Sequence, residues 1–274
     1  MSSVSQTFNS IVDLPSEYHC HRNFYKIIWG DLTCSKCGTK GIKFRSNYEY
    51  CPHCKHKSSV KAKTIFKGSN LSFRQIYLLI WCWQRRYGIK ESCEIVGISY
   101  PTIERWYERF RASLPEPDEV LEDIVEIDGS FFGKKKYKKQ KLVAGAINPG
   151  SHQLVLKVVY SRDSEAVEDF VKAYIKKGSL IRTDGLKSYN NESLEGYDHE
   201  SCNHEESIFG ITNHIENAWS VIKRSLRHIY RDLTFDLNKL NLILREWENR
   251  YNYPELFYNV DSYLKLRGCS KLVR

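Results

Sequence analysis

Ile124-Val125-Glu126-Ile127-Asp128-Gly129-Ser130-Phe131-Phe132 is the stretch that decides how this chain folds. β-Branched and aromatic residues dominate it and Gly133 follows, which predicts a strand. Successive side chains on a strand point to opposite faces. Ile124, Glu126 and Asp128 therefore share one face, and Val125 and Ile127 the other. A carboxylate on an apolar strand is costly to bury without a partner. A divalent cation is one such partner. For this stretch alone, an edge strand with its acids in water competes evenly.

Downstream, residues 133–141 read GKKKYKKQK. Such a charge run is most often a solvated loop or a localisation signal. Beside a carboxylate site it would instead hold phosphates. Strands are predicted over Lys141–Ile147 and Gln153–Tyr160, antiparallel because Asn148-Pro149-Gly150 is a short turn. Ser164 caps a helix whose stripe is Val167, Phe170, Val171, Tyr174 and Ile175, and Gly178 ends it. A fourth strand, Ser179–Thr183, leads into Asp184-Gly185. Asp184 thus sits at the C-terminal end of a strand after a crossover helix, where sites on α/β sheets collect. Residues 190–210 have no assignable pattern, and His199, Cys202 and His204 read as loop residues. A helix from Asn213 to about Tyr230 buries Ile215, Trp219, Ile222, Leu226 and Ile229. Glu216, Lys223 and Arg227 lie beside that stripe, Glu216 and Lys223 about 10 Å apart along the axis. An acid in the first turn also suits the helix dipole. A last helix, Leu237–Tyr251, carries Leu240, Leu242, Ile243 and Trp247, and residues 253–274 read as an irregular tail.

Upstream, Leu114-Pro115-Glu116-Pro117-Asp118-Glu119 reads as a linker. Before it come a helix over Leu71–Tyr87, a short one over Ile89–Val96 ended by Gly97, and a third capped by Ser99 with Pro101 in its first turn. The third buries Ile103, Tyr107, Phe110 and Leu114, leaving Glu104, Arg105, Arg109 and Arg111 largely off that stripe. Short helix, tight turn and basic helix make a helix-turn-helix pattern; a plain three-helix unit is the alternative. Cys34-x-x-Cys37 and Cys51-x-x-Cys54 have the spacing of a four-thiolate zinc site, with His53 and His56 as rival ligands. The strand-like Ile42–Tyr50 between the pairs suits a zinc ribbon, and four protein ligands imply a structural role. His19-Cys20-His21 reads as structural. The domains predicted are an N-terminal segment 1–30, the ribbon 31–66, the helix-turn-helix 67–114, an α/β domain 120–252 and the tail 253–274.

The chain has 274 residues and a net charge of +9, which favours an anionic partner without naming it. No apolar run has membrane-spanning length, and no secretory signal is visible. Nine cysteines, an odd number with four in C-x-x-C pairs, favour a reducing compartment and metal over disulfides.

The order strand, strand, strand, helix, strand, helix, with acids at the first strand, the fourth strand and the later helix, resembles the ribonuclease-H-like α/β plan: a mixed sheet with flanking helices. The chain resembles the Merlin-type DDE transposases and their bacterial ISXO-like insertion-sequence relatives over about residues 30–250. Glu126-Ile127-Asp128-Gly129-Ser130-Phe131-Phe132-Gly133-Lys134, Arg182-Thr183-Asp184-Gly185, and Thr212-Asn213-His214-Ile215-Glu216-Asn217-Ala218-Trp219 with Lys223 and Arg224 carry the resemblance. The ribbon and Lys63-Thr64-Ile65-Phe66 are similar to that family's N-terminal part. The resemblance implies Asp128, Asp184 and Glu216 as the triad binding Mg²⁺ or Mn²⁺, with Lys223 as the basic residue one heptad on. The family often has a small or acidic residue where this chain has Gly129, and His where it has Ile211. Asn213 and Asn217 compete for the third position; Glu216 is preferred because only it adds a negative charge.

The expected activity is cleavage at terminal inverted repeats and joining of the 3′ ends to target DNA, by a homodimer or higher oligomer. Zn²⁺ would be structural. Arg105, Arg109, Lys134, Lys135, Lys136, Lys138, Lys139 and Arg224 are the expected DNA contacts. A nucleus is expected in a eukaryotic host, otherwise the cytoplasm or nucleoid. The alternatives are a transposase-derived DNA-binding protein without catalysis and a nuclease without strand transfer.

Overall fold

A computed structural model of the chain describes residues 13–45, 48–116, 118–134, 140–160, 164–184, 194–202, 211–230 and 236–266. Two compact units divide it, Met1–Leu114 with Pro254–Arg274, and Pro115–Tyr253.

The first unit opens with α1 (Glu17–Trp29), whose N-cap Ser16 accepts from the His19 backbone N–H. Three two-residue strands follow, β1 (Lys43–Phe44), β2 (Glu49–Tyr50) and β3 (Lys57–Ser58), in an antiparallel meander. The His19-Cys20-His21 run is structural here. His21 Nε2 lies 2.6 Å from Glu49 Oε1, both buried, and the ring stacks on Phe73 at 3.9 Å. Glu49 also accepts from Val60 N–H at 3.1 Å, so one buried acid ties α1 to the ribbon. Next come α2 (Phe73–Gln84), α3 (Ile89–Val96) and α4 (Tyr100–Ser113). Ser72 and Gln75 form a reciprocal capping box that starts α2. Gly97, at φ 72°, ends α3 in the left-handed region that glycine adopts without penalty. Arg111 is buried with its guanidinium over Tyr107, not off the stripe as its charge suggested.

The second unit is a five-stranded sheet. It is built from β4 (Ile124–Phe132), β5 (Lys141–Ile147), β6 (Leu154–Val159), β7 (Leu180–Asp184) and β8 (Asp198–Cys202), in the order β6-β5-β4-β7-β8. The first three strands form an antiparallel meander, and β7 and β8 run parallel to β4. That order, with α5 (Ser164–Tyr174) crossing from β6 to β7, is the ribonuclease-H-like plan. β8 falls in the stretch without an assignable sequence pattern. It is a polar, mostly exposed edge strand, so it has no apolar alternation to read.

Each face of the sheet has its own cover. Val125, Ile127, Ala146 and Ile181 pack with Phe170, Val171 and Ile175 into the core cluster on one side. On the other side lies α6 (Asn213–Ile229), whose buried residues include the expected Ile215, Trp219, Ile222, Leu226 and Ile229. Gly145 lets it lie close: a Cβ there would meet Trp219 Cζ2 at 2.5 Å and Ile215 Cδ1 at 3.1 Å. Gly145→Ala is therefore expected to cost about 1–3 kcal/mol by overpacking, read as a lower urea midpoint. An unchanged midpoint would mean that α6 has room to shift.

α7 (Leu237–Asn252) covers the free edge of β6. Asn252 accepts from Leu154 N–H at 2.8 Å and Glu248 from Leu156 N–H at 2.8 Å, so two unpaired strand donors are satisfied by side chains. Burial pushes the Glu248 carboxyl up, against the pull of Lys157. The segment read as a linker packs on this helix too. Asn249 donates to Pro115 O at 3.0 Å, Arg245 bonds Glu116, and the Tyr253 hydroxyl bonds Glu119.

The chain then returns to the first unit, and the expected irregular tail is corrected. A 3₁₀ turn (Pro254–Phe257) and α8 (Val260–Leu264) bury Val260, Tyr263 and Leu264, and Gln84 Nε2 donates to Leu256 O and Asn259 O. Five helical residues are too few to show a period. Among the described residues no helix is long and apolar enough to cross a membrane.

Candidate catalytic and metal sites

The parallel ladder between β4 and β7 pairs Ile127 with Thr183, so Asp128 and Asp184 come next, in step on adjacent strands. In-register neighbours point to the same face, with strands about 4.8 Å apart. Two carboxylates 56 positions apart in the chain thus meet at one sheet end, both half-buried. The face is the one α6 covers, because Asp128 pairs with Gly145 on its other side and Trp219 rests there.

α6 adds the remaining residues. At about 100° per residue, Glu216 and Lys223 lie on one flank, while Asn213 and Asn217 turn toward solvent. Both asparagines are exposed. Glu216 is exposed as well, and its Oε1 accepts from the Thr212 hydroxyl at 2.8 Å. The Lys223 ammonium lies 5.6 Å from the Phe132 ring centroid. Burial pushes its pKa down and the Asp128 carboxylate pulls it back up.

The acids do not close on a single point. Among the described residues, the one group of three or more ligand side chains within 4.8 Å of one another is the cysteine quartet. Three like charges without a counter-ion repel.

Glu126 is the residue that sequence reasoning passed over. It shares the Asp128 face, as alternation requires, yet is 1% exposed. Its Oε2 accepts from His214 N–H at 2.8 Å and Ile215 N–H at 3.0 Å, and His214 Nδ1 lies 2.7 Å from Oε1. The free N–H groups at the start of α6 thereby dock on the strand that carries Asp128. The available signal was two acids two positions apart on one strand. Gly145 gave no such signal.

In the first unit, Cys34, Cys37, Cys51 and Cys54 converge. Cys34 Sγ is 3.6 Å from Cys54 Sγ, and Cys37 Sγ is 3.7 Å from Cys51 Sγ. Tetrahedral zinc with Zn–S near 2.3 Å sets sulfurs about 3.8 Å apart, so the quartet fits that ion. The two knuckles repeat one geometry: Gly38 N–H bonds Cys34 O, Lys55 N–H bonds Cys51 O, and both Gly38 and Lys55 have positive φ. Hydrogen bonding with Thr39 pulls the Cys37 thiol down to about 5, toward the thiolate a metal takes. His53 and His56 stand outside the converging set.

Of the expected DNA contacts, Arg105, Arg109, Lys134 and Arg224 are exposed. The Arg109 guanidinium stacks 4.8 Å from the Trp106 ring centroid. Lys135, Lys136, Lys138 and Lys139 lie outside the described residues, as does His204. His199 is on β8, bonded to the Thr183 hydroxyl at 2.9 Å on the face away from Asp184.

Comparison with curated proteins returned no match. Among solved structures, the catalytic core domain of BIV integrase is similar at 10% identity, covering 48% of this chain and 85% of that one, with a TM-score of 0.34. The HTLV-2 integrase catalytic core domain, in a dimeric complex with magnesium, is similar at 13% identity, covering 50% and 90%, also at 0.34. Residues 120–252 match the family model described as the ISXO2-like transposase domain. These residues, similar to an ISXO2-like transposase domain, hold the sheet, α6 and both aspartates.

Proposed function

We propose that the chain is a DNA transposase that cuts at the ends of its element and joins the freed 3′ ends to target DNA. The single observation that carries this is Asp128 and Asp184 in step on parallel strands, under the helix that carries Glu216 and Lys223, inside the transposase domain. Oxygen ligands of this kind suit hard divalent cations. Asp128, Asp184 and Glu216 would hold the ions, their carboxylates offsetting the charge. Bound there, Mg²⁺ or Mn²⁺ would supply Lewis acidity for attack and for departure of the leaving oxygen.

Asp128 and Asp184 would act from the sheet and Glu216 from the first turn of α6. Lys223 contacts a phosphate next to the one that reacts. Water attacks a phosphodiester, leaving a 3′-hydroxyl and a 5′-phosphate. The 3′-hydroxyl then attacks a target phosphate, and the target 3′-oxygen departs. Two ends require two such sites, which calls for a homodimer or larger assembly. The quartet holds structural zinc, and α4 reads the element's ends.

Nicking of supercoiled plasmid by the full chain, with Mg²⁺ or Mn²⁺, tests the chemistry. Joined product separates a transposase from a plain nuclease. DNA binding without any nicking would leave a non-catalytic binding protein. On α4, Arg109→Ala is expected to weaken binding across sequences and to flatten the slope of log K against log salt by about 0.9 per lost phosphate contact. A salt slope equal to that of the wild type would remove Arg109 from the interface.

A further inference from the structure

We propose that Glu126 is a positioning residue of the catalytic site: its buried carboxylate ties the first turn of α6, and with it Glu216 and Lys223, to the strand that carries Asp128. The proposal rests on the metal-dependent reading above for its functional half and on geometry alone for its structural half.

Both carboxylate oxygens are engaged. Oε1 faces His214 Nδ1 at 2.7 Å, and Oε2 takes the backbone N–H groups of His214 and Ile215 at 2.8 and 3.0 Å. With 1% of its surface exposed, Glu126 has no face left for a metal ion or a phosphate. A charge so deeply buried persists only when it is paired, and here the pairing comes from a helix start and an imidazole. An apolar residue would fill the same space but would strand two helix N–H groups away from water.

The tie sits where it governs the site. Asp128 is two residues further along β4 on the same face, roughly 7 Å on. Glu216 follows His214 by two residues, a rise of about 3 Å. One side chain therefore sets the distance between the sheet-borne aspartates and the helix-borne acid. Gly145 acts with it from the neighbouring strand, letting Trp219 seat so that α6 lies down flat. Reacting groups displaced by about 1 Å can lose on the order of 10²-fold in rate.

The test compares full-length wild type, Glu126→Gln and His214→Ala by plasmid nicking and by amide hydrogen exchange over residues 211–219. Glu126→Gln keeps the reach but loses the charge and one acceptor oxygen. It is expected to speed exchange of the first-turn amides, to lower kcat on the order of 10²-fold, and to leave KM for plasmid unchanged. The Mg²⁺ concentration giving half the maximal rate is expected to rise, a shift that a merely structural role would not produce. His214→Ala removes one of the three bonds, so the same changes are expected at smaller size; it also serves if Glu126→Gln does not fold. Unchanged exchange in both variants would overturn the tie. Faster exchange with unchanged kcat and unchanged Mg²⁺ dependence would overturn its bearing on the site. Lost kcat with unchanged exchange would make Glu126 a direct participant, which also overturns the proposal. If wild type nicks no DNA with any divalent ion, the catalytic reading falls and takes the functional half with it. The exchange comparison still decides the tie.

Discussion

Asp184→Asn is expected to abolish metal-dependent nicking while leaving DNA binding intact. The substitution keeps the size of the side chain and removes its charge, so β7 and its ladder to β4 are preserved. Asn remains an oxygen donor but no longer offsets the charge of a divalent ion. Metal stabilisation of the transition state amounts to several kcal/mol, and each 1.36 kcal/mol is tenfold in rate. A loss of about 10³-fold or more follows. Asp128→Asn is expected to do the same, because Asp128 is the in-step neighbour. Near-wild-type nicking by either variant would place the chemistry elsewhere. Binding to plasmid without added divalent ions is the control that separates lost chemistry from lost fold.

The second large effect concerns the ribbon. Its strands β1, β2 and β3 are two residues each. Such strands bury too little apolar surface to hold their own shape. Structural zinc binding amounts to about 10–16 kcal/mol in small zinc-finger peptides. That is comparable with the whole stability of an ordinary domain, about 5–15 kcal/mol. Cys51→Ser or Cys54→Ser is therefore expected to release the zinc and to open Cys34–Ser58 to protease. The measurements are zinc content of the purified chain and limited proteolysis with and without chelator. Zinc retained at wild-type content in both serine variants would mean that the quartet is not its site. The tie between His21 and Glu49 predicts a reach beyond the ribbon: α1 is held to it by that buried pair and should loosen with it.

The parts of the fold that sequence made legible are those where periodicity is strong and one face is dry. β4 and β5 are apolar strands under two layers, and α6 has a clean stripe from Ile215 to Ile229. Asp184 could be placed from its position after a crossover helix. β8 was not legible, since an exposed edge strand of Asp, His, Glu, Ser and Cys has no alternation in apolar character. Acids and amides on α7 carry no sequence signal of their role. Glu248 and Asn252 look solvated in a helix pattern, yet they complete the edge of β6. The C-terminal segment was unreadable because its packing is long-range: Asn23 donates to Asp261 across 238 positions. In the proposed site, the placement of Asp128 and Asp184 at neighbouring strand ends was accessible from the strand pattern. What sets their distance from α6 was not, because the roles of Glu126 and Gly145 exist only once α6 lies on the sheet.

The most direct measurement is the binding of Mn²⁺ to the full chain on DNA, followed by electron paramagnetic resonance in wild type and in Asp128→Asn, Asp184→Asn and Glu216→Gln. Wild type is expected to take up ions that each single variant loses or binds far more weakly, with the zinc content unchanged. Uptake that is the same in all four proteins would contradict a shared site, and the three acids would then be solvated neighbours with no ion to hold.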